Sequence, residues 1–207
     1  MILEVTDTSA NHVHIVGIGG KGMSAIAAAL LDLGKTISGS DLEISPQAAR
    51  LRRRGVRIDE GHNAANIEGA DLVIHSSAVK PNNTELAAAR ALGTPIATRA
   101  ATIAALFNDR LGIAIAGTHG KTTTAAMTAT ILYQAGLRPS FLIGADTPSL
   151  GNINGRIDAG AWMVLEADEF DDAFLAYRPN IAVVTHLESV SYTHLRAHET
   201  EADLVCR

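Results

Sequence analysis

HVHIVGIGGKGMSAIAAALLDLG, residues 12–34, decides the fold. His12 to Val16 reads as a short apolar strand, Gly17 to Gly22 as a turn with four glycines, and about Met23 to Leu33 as an Ala-rich helix that Gly34 closes. Strand, glycine turn and helix in that order open a βαβ unit, and the alternation continues outward. A second strand ends at Ser40 and Asp41. Ser45 then Pro46 predicts an N-cap and first helical residue for a helix to Arg54, which Gly55 ends. Asp71 to His75 reads as strand, Thr84 to Leu92 as a helix before Gly93, Pro95 to Ala97 as strand and Ala100 to Phe107 as helix. The pattern predicts an α/β fold with a parallel sheet covered on both faces.

After a polar break at Asn108, Asp109 and Arg110 the same program restarts. Leu111 to Ala116 reads as strand, a second glycine loop follows, and Thr122 to Ala135 reads as a helix closed by Gly136. Strands are expected at about Phe141 to Ile143, Trp162 to Leu165 and Ile181 to Val184. Two domains are therefore expected: a Rossmann-like parallel-sheet domain over 1–107, and the start of a P-loop-type α/β ATPase domain over 108–189.

Composition limits the chemistry. The 207 residues are 47% hydrophobic and 19% charged, the usage of a folded globular chain. Seventeen Lys and Arg against 22 Asp and Glu leave a net charge of −5, which argues against a nucleic-acid partner. One cysteine, Cys206, forbids an internal disulfide and a Cys-based metal cluster. No apolar run reaches a membrane span and the N-terminus lacks a signal-peptide pattern, so no membrane is expected and the cytoplasm is the expected compartment. Nothing in the sequence bears on oligomeric state.

Gly17, Gly19 and Gly22 form G-x-G-x-x-G between strand and helix, where backbone N–H groups can approach a diphosphate at the positive helix end. Asp41 closes the next strand, where a carboxylate can accept from a ribose hydroxyl. Alone, this motif reads either as an NAD(P) site or as a tight turn without a ligand. The second loop, Gly117-Thr118-His119-Gly120-Lys121-Thr122-Thr123, ends in G-K-T between an apolar strand and a helix, the context of a P-loop. Its amides and Lys121 would neutralise β and γ phosphate oxygens, with the Thr122 hydroxyl on Mg²⁺. The loop is a variant, because the first glycine of G-x-x-x-x-G-K falls on Ile115. Glu166-Ala167-Asp168-Glu169-Phe170-Asp171-Asp172 follows a predicted strand, so its carboxylates emerge at a strand's C-terminal end, where hard oxygens suit Mg²⁺.

HIVGIGGKGMSAIA (14–27), SGSD (38–41), SSAV (76–79), AGTHGKTTTA (116–125) and EADE (166–169) together resemble the Mur ligases, ATP-dependent amide-forming enzymes of bacterial cell-wall synthesis. The likeness runs in order from about His12 to Glu188. It implies that the first loop holds a UDP-sugar diphosphate instead of NAD, and that ATP and Mg²⁺ serve the second. By this resemblance Gly17, Gly19, Gly20, Gly22, Asp41, Ser76, Ser77 and Arg99 belong to the UDP-substrate side. Gly117, Thr118, His119, Gly120, Lys121, Thr122 and Thr123 would bind ATP, with Thr122 and Glu166 around Mg²⁺ and Lys121 and Glu166 as the catalytic groups. His119 resembles the members that act on UDP-N-acetylmuramate, joining it to L-alanine or to a recycled murein tripeptide. The implied reaction ligates L-alanine to UDP-N-acetylmuramate through an acyl phosphate. The rival from another class is an NAD(P)-binding oxidoreductase or regulator.

The chain also departs from the family pattern. Phe170 stands where serine is common, and the acidic residue and metal-binding histidine expected after Thr185-His186-Leu187-Glu188 do not follow. Residues 190–207 have no counterpart and are read as a non-native tail. The rest of the central domain and the C-terminal domain are then missing, and the fragment is expected to be inactive by itself. His194 and His198, spaced i, i+4, could ligate zinc but fall in that tail. Arg50, Arg52, Arg53 and Arg54 read as a solvated helix end, and His62 and His75 as packing or loop residues.

Overall fold

A computed structural model describes residues 10–168 and 174–187. Two five-stranded sheets follow one another along the chain. The first is built from β1 (His12–Val16), α1 (Lys21–Asp32), β2 (Thr36–Asp41), α2 (Pro46–Arg53), β3 (Arg57–Glu60), β4 (Leu72–His75), α3 (Thr84–Leu92), β5 (Ile96–Thr98) and α4 (Arg99–Asn108). Its order is β3-β2-β1-β4-β5, every pair parallel. The chain moves outward from β1 to β3 and returns to β4 on the other side, so the order reverses between β1 and β4. A crevice opens at such a point beyond the strands' C-terminal ends, where residues 17–22 and Ser76 emerge.

The second sheet comprises β6 (Leu111–Ala116), β7 (Ser140–Thr147), β8 (Ile153–Arg156), β9 (Trp162–Glu166) and β10 (Ile181–Val184), with α5 (Lys121–Gln134) after β6. Its order is β10-β6-β9-β7-β8, parallel except for the antiparallel edge pair β7–β8. The α/β class and the placement of both glycine loops agree with the sequence reading. Both loop helices begin at the loop lysine instead of one or two residues later, β5 lies one residue further on, and β3 and β8 were not expected. No helix among the described residues is long and apolar enough to cross a membrane.

Helix α1 joins the two sheets. Met23 to Leu30 are buried without a break, which an amphipathic surface helix would not show. The helix packs on its own sheet and also against the β7–β8 hairpin. One apolar cluster therefore runs from Val13 and Ile26 through to Leu142 and Met163. Small side chains permit the approach: a Cβ added at Gly155 would lie 2.3 Å from the Ala25 carbonyl oxygen. Gly155→Ala is expected to destabilise the protein by about 1–3 kcal/mol through overpacking, read as a lower urea midpoint. An unchanged midpoint would refute this backbone contact.

Candidate functional site

Both glycine loops open on helix N-termini that no side chain caps. Helices α2, α3 and α4 are capped by Ser45, Asn83 and Thr98, whereas α1 and α5 start from Gly20 and Gly120 with no side-chain cap and no acidic residue in the first turn. With a glycine at the N-cap and no acid in the first turn, the positive dipole end of each helix suits an anion.

At the first loop, Gly17 takes φ +79°, a left-handed conformation that favours glycine. The Gly17 and Ile18 amides donate to the Ser40 carbonyl at 2.8 and 3.1 Å, folding the loop back over β2. Asp41 accepts from the Gly19 amide at 2.7 Å and from the Leu42 amide at 2.8 Å, and the Ser45 hydroxyl donates to the Gly19 carbonyl at 2.8 Å. The Asp41 carboxylate is thus engaged in shaping the loop. A Cβ at Gly19 would meet Asp41 Oδ2 at 2.8 Å, and one at Gly22 would meet Arg99 Nη1 at 2.8 Å. Ser76 Oγ lies 3.7 Å from the corresponding point on Gly17. The loop glycines, Asp41, Ser76 and Arg99 converge at the switch point, while Ser77 is exposed beyond β4.

At the second loop, Gly117 (φ +126°) and Gly120 (φ +80°) carry the turn. A Cβ at Gly117 would stand 2.5 Å from Thr185 Oγ1 and 2.8 Å from the His186 carbonyl oxygen, so the segment after β10 presses on the loop. The Thr118 amide donates to the His186 carbonyl at 2.7 Å, and Thr185 Oγ1 donates to the His119 carbonyl at 2.5 Å. The His119 and His186 rings stack with centroids 6.2 Å apart. Lys121 Nζ donates to the Gly117 carbonyl at 2.6 Å, which keeps the ammonium over the loop. Thr123 is exposed on the first turn of α5.

Glu166 ends β9 beside β6, whose own end feeds the loop. It accepts from the Thr122 hydroxyl at 2.7 Å and from the Gly144 amide at 2.6 Å. One hydroxyl and one carboxylate make a hard-oxygen pair of the kind Mg²⁺ takes when phosphate and water fill its other positions. Among the described residues no group of three or more His, Cys, Asp or Glu could hold a metal.

Of the other residues singled out, Arg50 and Arg54 pair with Asp146 and Asp32, and Arg52 bonds the Ile58 carbonyl. His62 Nδ1 lies 3.0 Å from Glu85 Oε2, where only the imidazole can donate, and His75 Nδ1 lies 2.9 Å from the Ser76 carbonyl. Glu169 to Asp172, Glu188, His194, His198 and the 190–207 segment lie outside the described residues. Sequence reasoning missed Asn154, whose amide donates to the Lys21 carbonyl at 2.8 Å, and Tyr177, which is buried and feels the charge of Arg99. Neither belongs to a recognisable motif, and both acquire their place from the packing of one sheet on the other.

Comparison with known proteins agrees with this geometry. Residues 12–111 match the model of the Mur ligase family, catalytic domain. The UDP-N-acetylmuramate–L-alanine ligase of Sorangium cellulosum is 50% identical over 192 residues, which is 93% of this chain and 41% of that protein. The UDP-N-acetylmuramate–alanine ligase structure from Thermotoga maritima aligns with a TM-score of 0.83 at 33% identity, covering 90% of this chain and 44% of that one. The UDP-N-acetylmuramate:L-alanyl-gamma-D-glutamyl-meso-diaminopimelate ligase from Neisseria meningitides aligns at 0.80 and 31% identity, covering 96% and 64%. The chain spans about two fifths of the length of the curated relatives it matches. A glycine loop at the switch point of one parallel sheet, a lysine loop facing a β9 carboxylate in the next, and half-identical relatives along nearly the whole chain have one common explanation: the chain belongs to the Mur ligase family.

Proposed function

We propose that this chain is the N-terminal part of an enzyme that joins L-alanine to UDP-N-acetylmuramate at the expense of ATP, in the supply of peptidoglycan precursors in the cytoplasm. Residues 1–107 form the UDP-sugar unit and residues 108–189 the first part of the ATPase unit. The observation that carries the reading is the pairing of two uncapped, glycine-opened helix N-termini with the Thr122–Glu166 contact beside the second of them. Two phosphate-receptive sites, one equipped for Mg²⁺, suit a reaction between a nucleotide-linked acid and ATP.

A carboxylate does not acylate an amine at neutral pH, because its oxygen leaves poorly. In the proposed sequence the lactyl carboxylate oxygen bonds to the γ phosphorus and the bond to ADP breaks. The L-alanine amine then attacks the resulting acyl carbon, phosphate leaves, and the amine gives up its proton. Gly17, Gly19, Gly20, Gly22, Ser76, Ser77 and Arg99 hold the UDP-sugar, with Asp41 fixing the loop. Gly117 to Thr123 cradle the triphosphate, and Lys121 neutralises charge as it shifts toward the leaving oxygen. Mg²⁺, held by Thr122 and Glu166, would supply further charge neutralisation on the phosphates. No protein nucleophile is required.

A second reading has a specific basis: the Neisseria ligase that accepts a preformed tripeptide covers 96% of this chain. Competition between L-alanine and the tripeptide, in a full-length protein containing this sequence, separates the two. For the chain itself, UDP-N-acetylmuramate at a hundredfold excess over Kd is expected to add about 2.7 kcal/mol of stability and raise Tm, while NADH adds none. A rise with NADH and none with the UDP-sugar would overturn the assignment of the first loop.

A further inference from the structure

Among the described residues, two arginine–aspartate pairs of the same polarity bridge the sheets, Arg50 to Asp146 at 2.5 Å and Arg99 to Asp168 at 3.5 Å. In each, the cation comes from the first sheet's layer and the anion from the second's. The arginines differ in where they stand. Arg50 lies within α2, whereas Arg99 opens α4 at the C-terminal end of β5, with Nη1 against Gly22 of the first glycine loop and Nη2 toward Asp168. One guanidinium therefore touches the first loop with one nitrogen and, with the other, a residue two positions beyond Glu166, the partner of Thr122. Behind the pair, the buried Tyr177 ring meets Phe107 of α4 edge-on at 5.9 Å. Its hydroxyl pKa is pushed up to about 12, chiefly by burial, with Arg99 drawing it down and Asp168 pushing it up, so the three groups share one electrostatic neighbourhood.

We propose that Asp168 is a positioning residue that acts through Arg99: it aims the guanidinium at the diphosphate of a nucleotide-sugar on the first loop and couples that loop to the lysine loop. The inference deepens the proposed function and rests on the reading of the first loop as a UDP-sugar site. A guanidinium carries five N–H donors in a fixed plane, so a carboxylate can hold one edge while another faces phosphate oxygens. Held in advance, Arg99 loses less side-chain freedom when the ligand arrives. A nucleotide on the lysine loop restrains Thr122, through it Glu166 at the end of β9, and hence Asp168 two residues further on. By linkage each ligand then favours the other.

Calorimetric titration of the 207-residue chain with UDP-N-acetylmuramate, with and without Mg²⁺ and a non-hydrolysable ATP analogue, tests this. Asp168→Asn is expected to weaken UDP-sugar binding about tenfold, the upper end of what immobilising one long side chain is worth. It should also abolish the gain produced by the nucleotide, leaving the affinity for the nucleotide alone and the thermal midpoint unchanged. Asp168→Glu should restore most of the loss. Asp146→Asn, which breaks the other bridge, should alter neither affinity. Wild-type UDP-sugar affinity in Asp168→Asn, or an equal loss in Asp146→Asn, would overturn the positioning role. Failure of the wild-type chain to take the UDP-sugar while still binding the nucleotide would instead strike the reading of the first loop, and the positioning role with it.

Discussion

Lys121→Ala is expected to reduce ATP-dependent turnover about 10²–10³-fold in a full-length ligase carrying this sequence, the loss typical of one preorganised donor to developing charge. Lys121 sits at the first position of α5 with its ammonium 2.6 Å from the Gly117 carbonyl, inside the turn where the triphosphate would lie. Phosphoryl transfer asks a protein mainly for position and charge neutralisation, so removing this cation removes stabilisation that the loop amides alone do not replace. The loss should fall on kcat as well as on nucleotide affinity, because charge on the departing oxygen grows toward the transition state. Steady-state kinetics check it, and wild-type kcat in the alanine variant would refute the role.

Glu85→Ala is expected to destabilise the protein by about 3–5 kcal/mol, because it leaves buried partners of a charge without their acceptor. Glu85 is 0% exposed and accepts from the Ser40 hydroxyl and the Asn66 amide, each at 2.6 Å, and from His62. His14 Nε2, also buried, stands 3.7 Å away. Burial pushes the Glu85 pKa up, but the His14, Ser40 and Asn66 side chains more than offset that and hold it at about 2, against 4.5 for a free glutamate. A carboxylate lowered on folding stabilises above its unfolded pKa. Its contribution, on the order of 3 kcal/mol, is therefore complete above pH 4.5 and fades as pH falls toward 2. Urea midpoints of wild type and Glu85→Gln across that window should converge toward acid, and parallel curves would contradict the charged assignment. The network lies just behind the glycine loop, since the Ser40 carbonyl receives the Gly17 and Ile18 amides.

The parts legible in the sequence are those where local chemistry and tertiary context agree. The two glycine loops stand out because a strand-to-helix turn needs positive φ at Gly17, Gly117 and Gly120, and the central strands because burial on both faces demands continuous apolar runs. The strand β3, with the sequence RIDE, escaped because it is an edge strand with only Ile58 buried, and three charged residues hide a period of two. The strand β8, with the sequence INGR, escaped because Asn154 and Gly155 have poor strand propensity and are there for contacts with α1, some 130 residues earlier. Glu85 resembles an ordinary acid in a helix's first turn, and nothing local tells that α3 turns it inward. Asp41 was legible as a strand-end acid, but its engagement with the Gly19 amide depends on how the loop folds back. The Thr122–Glu166 contact joins two motifs that were each legible, at a distance only the β6–β9 pairing sets.

The most direct measurement is a crystal structure of the chain soaked with UDP-N-acetylmuramate and a magnesium-loaded, non-hydrolysable ATP analogue. The sugar nucleotide's diphosphate should lie on residues 17–22 near Arg99, and the triphosphate on residues 117–123 with the ion between Thr122 and Glu166. A triphosphate lodged elsewhere, or a first pocket that refuses the sugar nucleotide and fills with a nicotinamide dinucleotide, would contradict the account.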